Sequence, residues 1–260
     1  MSDYRSSSGF MSNIPVVTKN LLIINVLLWV ASATLPKLGI DIQAFLGLHY
    51  IGSQKFLLSQ LITYMFMHDP YSFSHVFFNM FGVYMFGRVL EQVWGPKRFL
   101  FYYVVTGIGA ALVQELMWYT DIRPFIQAID NYNVTGDGSV LSHYLNIQRG
   151  VIYSADALVQ AKEMVLNSML TIGASGCVFG ILLGFGMLFP NTPLYLMFVP
   201  IPIKAKYMVV GYGLIELFAG VANFSGDNVA HFAHLGGMLF GFFLIRYWKK
   251  KGIGNGFFLG

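Results

Sequence analysis

TIGASGCVFGILLGFGMLF, residues 171–189, carries no charged side chain and is almost continuously apolar. A helix needs roughly 20 predominantly apolar residues to cross the hydrocarbon core of a bilayer, because each residue advances it by only ~1.5 Å. Extended to residues 171–190, this stretch meets that requirement, and reading outward from it finds five more segments of the same kind, at about 16–35, 73–90, 98–118, 204–222 and 229–248. The pattern predicts an all-α fold, a polytopic membrane bundle of six transmembrane helices. Composition agrees: of 260 residues 56% are hydrophobic and only 11% charged, and mean hydropathy is +0.60. That is more apolar surface than one water-soluble core consumes. A single cysteine, Cys177, excludes an internal disulfide and reads as a small buried apolar residue. The net charge of +4 resides on scattered residues and segment edges, the pattern of membrane flanks rather than of a nucleic-acid surface.

Lysine and arginine set the expected orientation. With the N-terminus cytoplasmic, 11 of the 16 basic residues fall on the inner side, and both termini lie inside. The expected layout is a short cytoplasmic segment, 1–15, without a cleavable signal pattern, then a membrane domain, 16–248, with external loops 36–72 and 119–170, and a cytoplasmic tail, 249–260. Segments two, four and six then all run inward from the outer face. The 119–170 excursion combines a turn-rich centre, NYNVTGDGS, with a helix expected from Ser154, in which Leu158, Ala161, Val165 and Met169 share a face opposite Lys162 and Glu163. It is read as resting on the outer surface, either as a passive loop or as a surface helix that influences what reaches the bundle from outside. Asn133-Val134-Thr135 fits a glycosylation acceptor, a weak three-residue pattern.

Polar side chains inside spans are costly and each needs a reason. Segment two opens with His75-Val-Phe-Phe-Asn79, segment four with Gly173-Ala174-Ser175-Gly176, and segment six with Ala233-His234-Leu235-Gly236-Gly237 followed by Gly241. Because the three helices share a direction, these groups fall at similar depth, near the outer face. Gly176, Gly180 and Gly184 repeat every fourth residue, as do Ala233, Gly237 and Gly241, so two backbones can approach closely and bring Ser175 toward His234. A hydroxyl beside a neutral imidazole supports acyl transfer, with the Ser175 amide, the Asn79 side chain and the His75 ring as oxyanion donors. No carboxylate is placed by the sequence to complete a triad. Glu115 and Glu216, near outer span ends, read as solvated or structural, so a Ser175–His234 dyad is expected, with no cofactor and no metal. A zinc hydrolase built on His75, His231 and His234 lacks a His-Glu-x-x-His motif, an aspartyl protease lacks mid-span aspartates, and a transporter would spread its polar groups along a path.

With these motifs in this order, the sequence resembles the rhomboid family of intramembrane serine proteases over residues 15–248. The segment GRVLEQVWGPKRF, 87–99, is similar to the family's turn after its second span. The resemblance implies Ser175 as nucleophile, His234 as general base and acid, and His75 and Asn79 as oxyanion stabilisers. It also implies membrane-protein substrates that enter laterally from the lipid bilayer, a multi-pass protein of a bacterial inner membrane, and no nucleic-acid partner. The alternative is a catalytically silent membrane chaperone or substrate-binding protein of the same fold. Several features depart from the family pattern. The 119–170 excursion is long, the first external loop lacks a Trp-Arg pair, and Phe179 stands where tyrosine is frequent and is positioned to stack on His234. His231 either orients the site or fills a polar cavity. Ala174 replaces the proline of inactive relatives, which favours activity.

Overall fold

The computed structural model describes residues 13–145, 154–195, 201–222 and 229–252; most of the N-terminal segment, the distal tail and Arg149 lie outside them. The helices are α1 (Val16–Thr34), α2 (Ile42–Leu46), α3 (Gln60–Thr63), α4 (Phe73–Gly82), α5 (Arg88–Trp94), α6 (Pro96–Thr135), α7 (Ser139–Leu145), α8 (Ala155–Ser168), α9 (Ser175–Leu188), α10 (Ala205–Ala222) and α11 (His231–Lys250). A π-helical turn, Val83–Gly87, joins α4 to α5 in one rod. Two short antiparallel pairs complete the described residues, β1 (Leu48–His49) with β2 (Leu170–Thr171) and β3 (Pro193–Tyr195) with β4 (Pro202–Lys204).

Helices occupy all six apolar segments. Three of them, within Val16–Leu38, Pro96–Thr135 and Ala205–Ala222, are long and apolar enough to cross a membrane by length and composition. Their outward faces are also apolar: Ile23, Leu27 and Val30 on α1, Phe77 and Phe78 on α4, Leu214, Ile215 and Phe218 on α10, and Phe242 and Phe243 on α11 are all exposed. Surfaces of that extent require lipid rather than water as their solvent, and the protein is an integral membrane protein.

The core is an aromatic and aliphatic stack, Phe99, Tyr102 and Tyr103 of α6 with Leu90, Trp94, Ile181 and Ile245, all buried. The N-terminus of α1 follows Pro15, which brings no side-chain cap. The carboxylate of Glu91 on α5 caps it instead, accepting from the Val17 and Thr18 amides at 2.9 and 2.7 Å and from the Thr18 hydroxyl at 2.7 Å. An anion at a helix N-terminus satisfies orphan donors and complements the helix dipole.

Within the excursion two boundaries differ from the sequence reading. No break follows residue 118: α6 continues through Pro124 to Thr135 and stops where Gly136 adopts φ 72°. Its 40 residues extend about 60 Å, twice a hydrocarbon core, so the first part of the excursion continues the same helix beyond the length a span needs. The turn-rich centre shrinks to three residues, 136–138, before α7. The expected helix from Ser154 is present, with the Ser154 hydroxyl accepting from the Ala157 amide. Leu158 and Leu166 of α8 pack with Ile122, Phe125 and Ile129 of α6 and Leu141 of α7 into a second core.

Candidate active site

Three helix beginnings and the loop before α9 build the site. Ser72 caps α4, accepting from the His75 amide, so His75 lies in the first turn. Ser175 is the first residue of α9, and His234 is in the first turn of α11. The close approach occurs where the two small-residue rows meet: a Cβ on Gly237 would collide with the Gly176 carbonyl oxygen, and one on Gly176 would stand 2.5 Å from Ala110 Cβ. Further in, the rows do not face each other. Tyr102 and Thr106 of α6 wedge between them, Tyr102 Oη donating to the Gly180 carbonyl at 2.7 Å, and Gly241 faces the same two side chains. The stripes therefore act as one contact point and two sockets for α6.

At that contact Ser175 Oγ lies 2.7 Å from His234 Nε2. On the other side of the ring, His234 Nδ1 lies 2.8 Å from Glu216 Oε2, and His231 Nδ1 lies 2.7 Å from the same oxygen. An ionised carboxylate only accepts, so both Nδ1 atoms donate to it and His234 Nε2 is left to accept from the serine hydroxyl. Glu216 is the residue the sequence reading missed: it is buried, not solvated, and it touches His234. A signal was present. Glu216 is six residues before the end of α10 and His234 three after the start of α11, so at ~1.5 Å per residue they lie ~9 and ~4.5 Å from those helix ends, within about one helical turn of each other in depth. Phe179 stacks on His234 with ring centroids 4.4 Å apart and planes 7° apart.

His75 Nε2 lies against Gly173, where an added Cβ would come within 2.9 Å of it. Asn79 donates to the His75 carbonyl at 3.0 Å, which leaves its second amide hydrogen for another acceptor. The His75 ring sits edge-on to His68, centroids 5.0 Å apart; His68 is fully buried, and burial pushes its imidazole down to about 3. Gly173 donates to the Tyr64 carbonyl at 3.0 Å, and Tyr64 Oη is anchored on the Gly107 carbonyl at 2.7 Å.

His75, Asn79, Gly173, Ser175, Gly176, Phe179 and His234 all line one cavity of about 830 Å³. Its apolar side runs between α4, through Phe78 and Phe81, and α10, through Met208 and Tyr212. Of the remaining expected site residues, Gly237 and Gly241 serve helix packing, and His231 lines a separate, more polar cleft of about 350 Å³ with Gln114 and Asp121. Among the described residues, Glu216, His231 and His234 form a trio whose ligand atoms lie within 4.8 Å of one another, close enough to share a cation. The two Nδ1–H bonds already satisfy that carboxylate oxygen. His75 is not part of this trio.

A search of curated proteins returns no match. A family model, the Rhomboid domain, matches residues 55–121 and 133–251, which takes in the loop before α4, all the site residues above and most of the excursion. With that match over most of its length, the chain belongs to the rhomboid family.

Proposed function

We propose that the protein is an intramembrane serine endopeptidase that hydrolyses peptide bonds in or beside transmembrane segments of membrane-protein substrates. The observation that carries this reading is the 2.7 Å contact between Ser175 Oγ and His234 Nε2 on the wall of a cavity that also holds His75 and Asn79. In this reading all six rods are spans and both termini are cytoplasmic. The 14 residues of α9 rise only about 21 Å, less than a hydrocarbon core, so Ser175 at its outer end is recessed below the membrane surface yet reachable by water.

The substrate enters from lipid along the apolar wall between α4 and α10 and unwinds locally, since a helical carbonyl is hydrogen-bonded and shielded. Ser175 Oγ attacks the carbonyl carbon while its proton passes to His234 Nε2. The carbonyl oxygen gains the negative charge and takes hydrogen bonds from Asn79 Nδ2, the His75 ring and the Ser175 backbone amide. That amide opens α9 and has no partner one turn back within the helix, which makes it available. Collapse breaks the C–N bond as His234 returns the proton to the leaving nitrogen. Water then attacks the acyl-enzyme, gives a proton to His234, and releases the carboxyl product as Ser175 is reprotonated. None of these steps needs a cofactor.

Purified protein in detergent with a single-span substrate tests the reading. Wild type cleaves, and Ser175→Ala lowers the rate by at least about 10³-fold with an unchanged melting temperature. Cleavage by Ser175→Ala at the wild-type rate would overturn it.

A further inference from the structure

Glu216 has no part in the dyad that the motifs announce, yet its geometry is that of a third member. It lies on α10, a different helix from either Ser175 or His234, and one oxygen receives both histidine Nδ1 atoms at 2.7 and 2.8 Å. A carboxylate buried among apolar helices is costly unless it is paired and hydrogen-bonded, so this oxygen is committed to the two rings. We propose that Glu216 is a positioning residue of the Ser175 centre: it fixes His234 with the proton on Nδ1 and Nε2 aimed at the serine, and it stabilises the imidazolium formed during attack, with His231 holding the carboxylate in place. The proposal rests on the serine-peptidase reading and deepens it from a dyad to a hydrogen-bonded chain of four side chains.

Three constraints act on the His234 ring at once. Phe179 fixes its plane from one face, Ser175 lies at Nε2, and Glu216 lies at Nδ1. Without the carboxylate, Nδ1–H has no acceptor among these contacts, and the ring can exchange its proton to Nε2, where it no longer accepts from Ser175. An aspartate-to-amide exchange behind a catalytic histidine costs serine peptidases about 10⁴-fold through this wrong-tautomer effect. His231 lines the polar cleft with Gln114 and Asp121, so the far end of this hydrogen-bonded chain borders a different cavity from the one that Ser175 lines.

A bland rival is that Glu216 only ties α10 to α11. That role predicts loss of folded protein, with kcat per folded molecule preserved. For positioning, Glu216→Gln lowers kcat by at least about tenfold with KM within about twofold, and Glu216→Asp recovers part of the loss. Ser175 labelling by a fluorophosphonate slows in parallel, since it needs the same activated hydroxyl. A wild-type kcat in folded Glu216→Gln and Glu216→Ala overturns the proposal, while the Ser175→Ala control independently decides the parent reading. Should the Glu216 variants fail to fold, nitrogen-labelled histidine in folded Ser175→Ala protein decides instead. The expected signature is a far-downfield Nδ1 proton that disappears in a His234→Ala background, and its absence overturns the proposal.

Discussion

Gly173 holds φ at +134°, a backbone angle that side-chain-bearing residues rarely adopt, and it does so two residues before Ser175. The same geometry leaves only a hydrogen between the backbone and the His75 ring, because a Cβ there would stand 2.9 Å from His75 Nε2 and 3.6 Å from Ser175 Oγ. Gly173→Ala is therefore expected to displace the proposed oxyanion donor His75 as well as strain the loop. It should lower kcat by at least about tenfold with a small change in KM, the split expected when a group acts mainly in the transition state. Steady-state kinetics on folded protein check this, and a wild-type kcat would remove His75 from the oxyanion role. Residues of this kind were legible because a bilayer makes polarity conspicuous: Ser175, His234, His75 and Asn79 each needed a reason to sit in an apolar helix. Glu216 was equally anomalous but lies on a helix of opposite direction. Its pairing with His234 depends on how the connection between α10 and α11 sets the two helices side by side, which no motif in the sequence encodes.

Helices could be located from hydropathy, but their ends are decided by partners distant in sequence. The start of α9 falls at Ser175 instead of residue 171 because Leu170 and Thr171 pair with Leu48 and His49, and Gly173 bonds to the Tyr64 carbonyl. Nothing within residues 171–190 announces that strand. The small-residue rows were visible, but their division between one backbone contact and two sockets depends on the Tyr102 and Thr106 side chains of α6. Helix α1 shows the same dependence. Its first amides are satisfied by Glu91, 73 and 74 residues away, which is buried and, among the described residues, shares no hydrogen bond with the candidate site. Glu91→Ala strands two backbone donors and the Thr18 hydroxyl, so it should destabilise the fold by about 1–3 kcal/mol. Unfolding in a denaturing-detergent titration measures the shift, and kcat below the transition should change by less than about twofold. A midpoint equal to wild type would show that lipid headgroups or water replace this cap at no cost.

At the scale of the whole molecule the excursion is a docked cap whose chain leads directly into the candidate site. Helices α7 and α8 and the outer part of α6 share a core of their own with Tyr50, which meets Trp118 edge-on at 6.4 Å. The cap is tied to the 36–72 loop by Ser53 Oγ donating to Asn167 Oδ1 at 2.6 Å, Gln54 to Glu163 at 2.8 Å, and the Ile51 amide to Glu115 at 2.9 Å. From α8 the chain passes through β2 and Gly173 to Ser175, and Leu170, Thr171 and Ile172 on that path line the same cavity as Ser175 and His234. A cap held only by its own core would move independently of the cavity; one also fastened to β1 and its loop fixes the cavity wall. Asn167→Ala combined with Gln54→Ala removes two fastenings, leaving Ser175, His234 and Glu216 in place. It should raise KM by about threefold or more with kcat within about twofold, because the wall binds substrate but takes no part in proton transfer. Hydrogen exchange supplies the structural arm: amides in α8 should exchange about tenfold faster while those in α9 are unchanged, as local opening of a less-fastened unit requires. Faster exchange in α8 with an unaltered KM would mean that cap and cavity are mechanically separate, and the excursion would then be a passive outer surface.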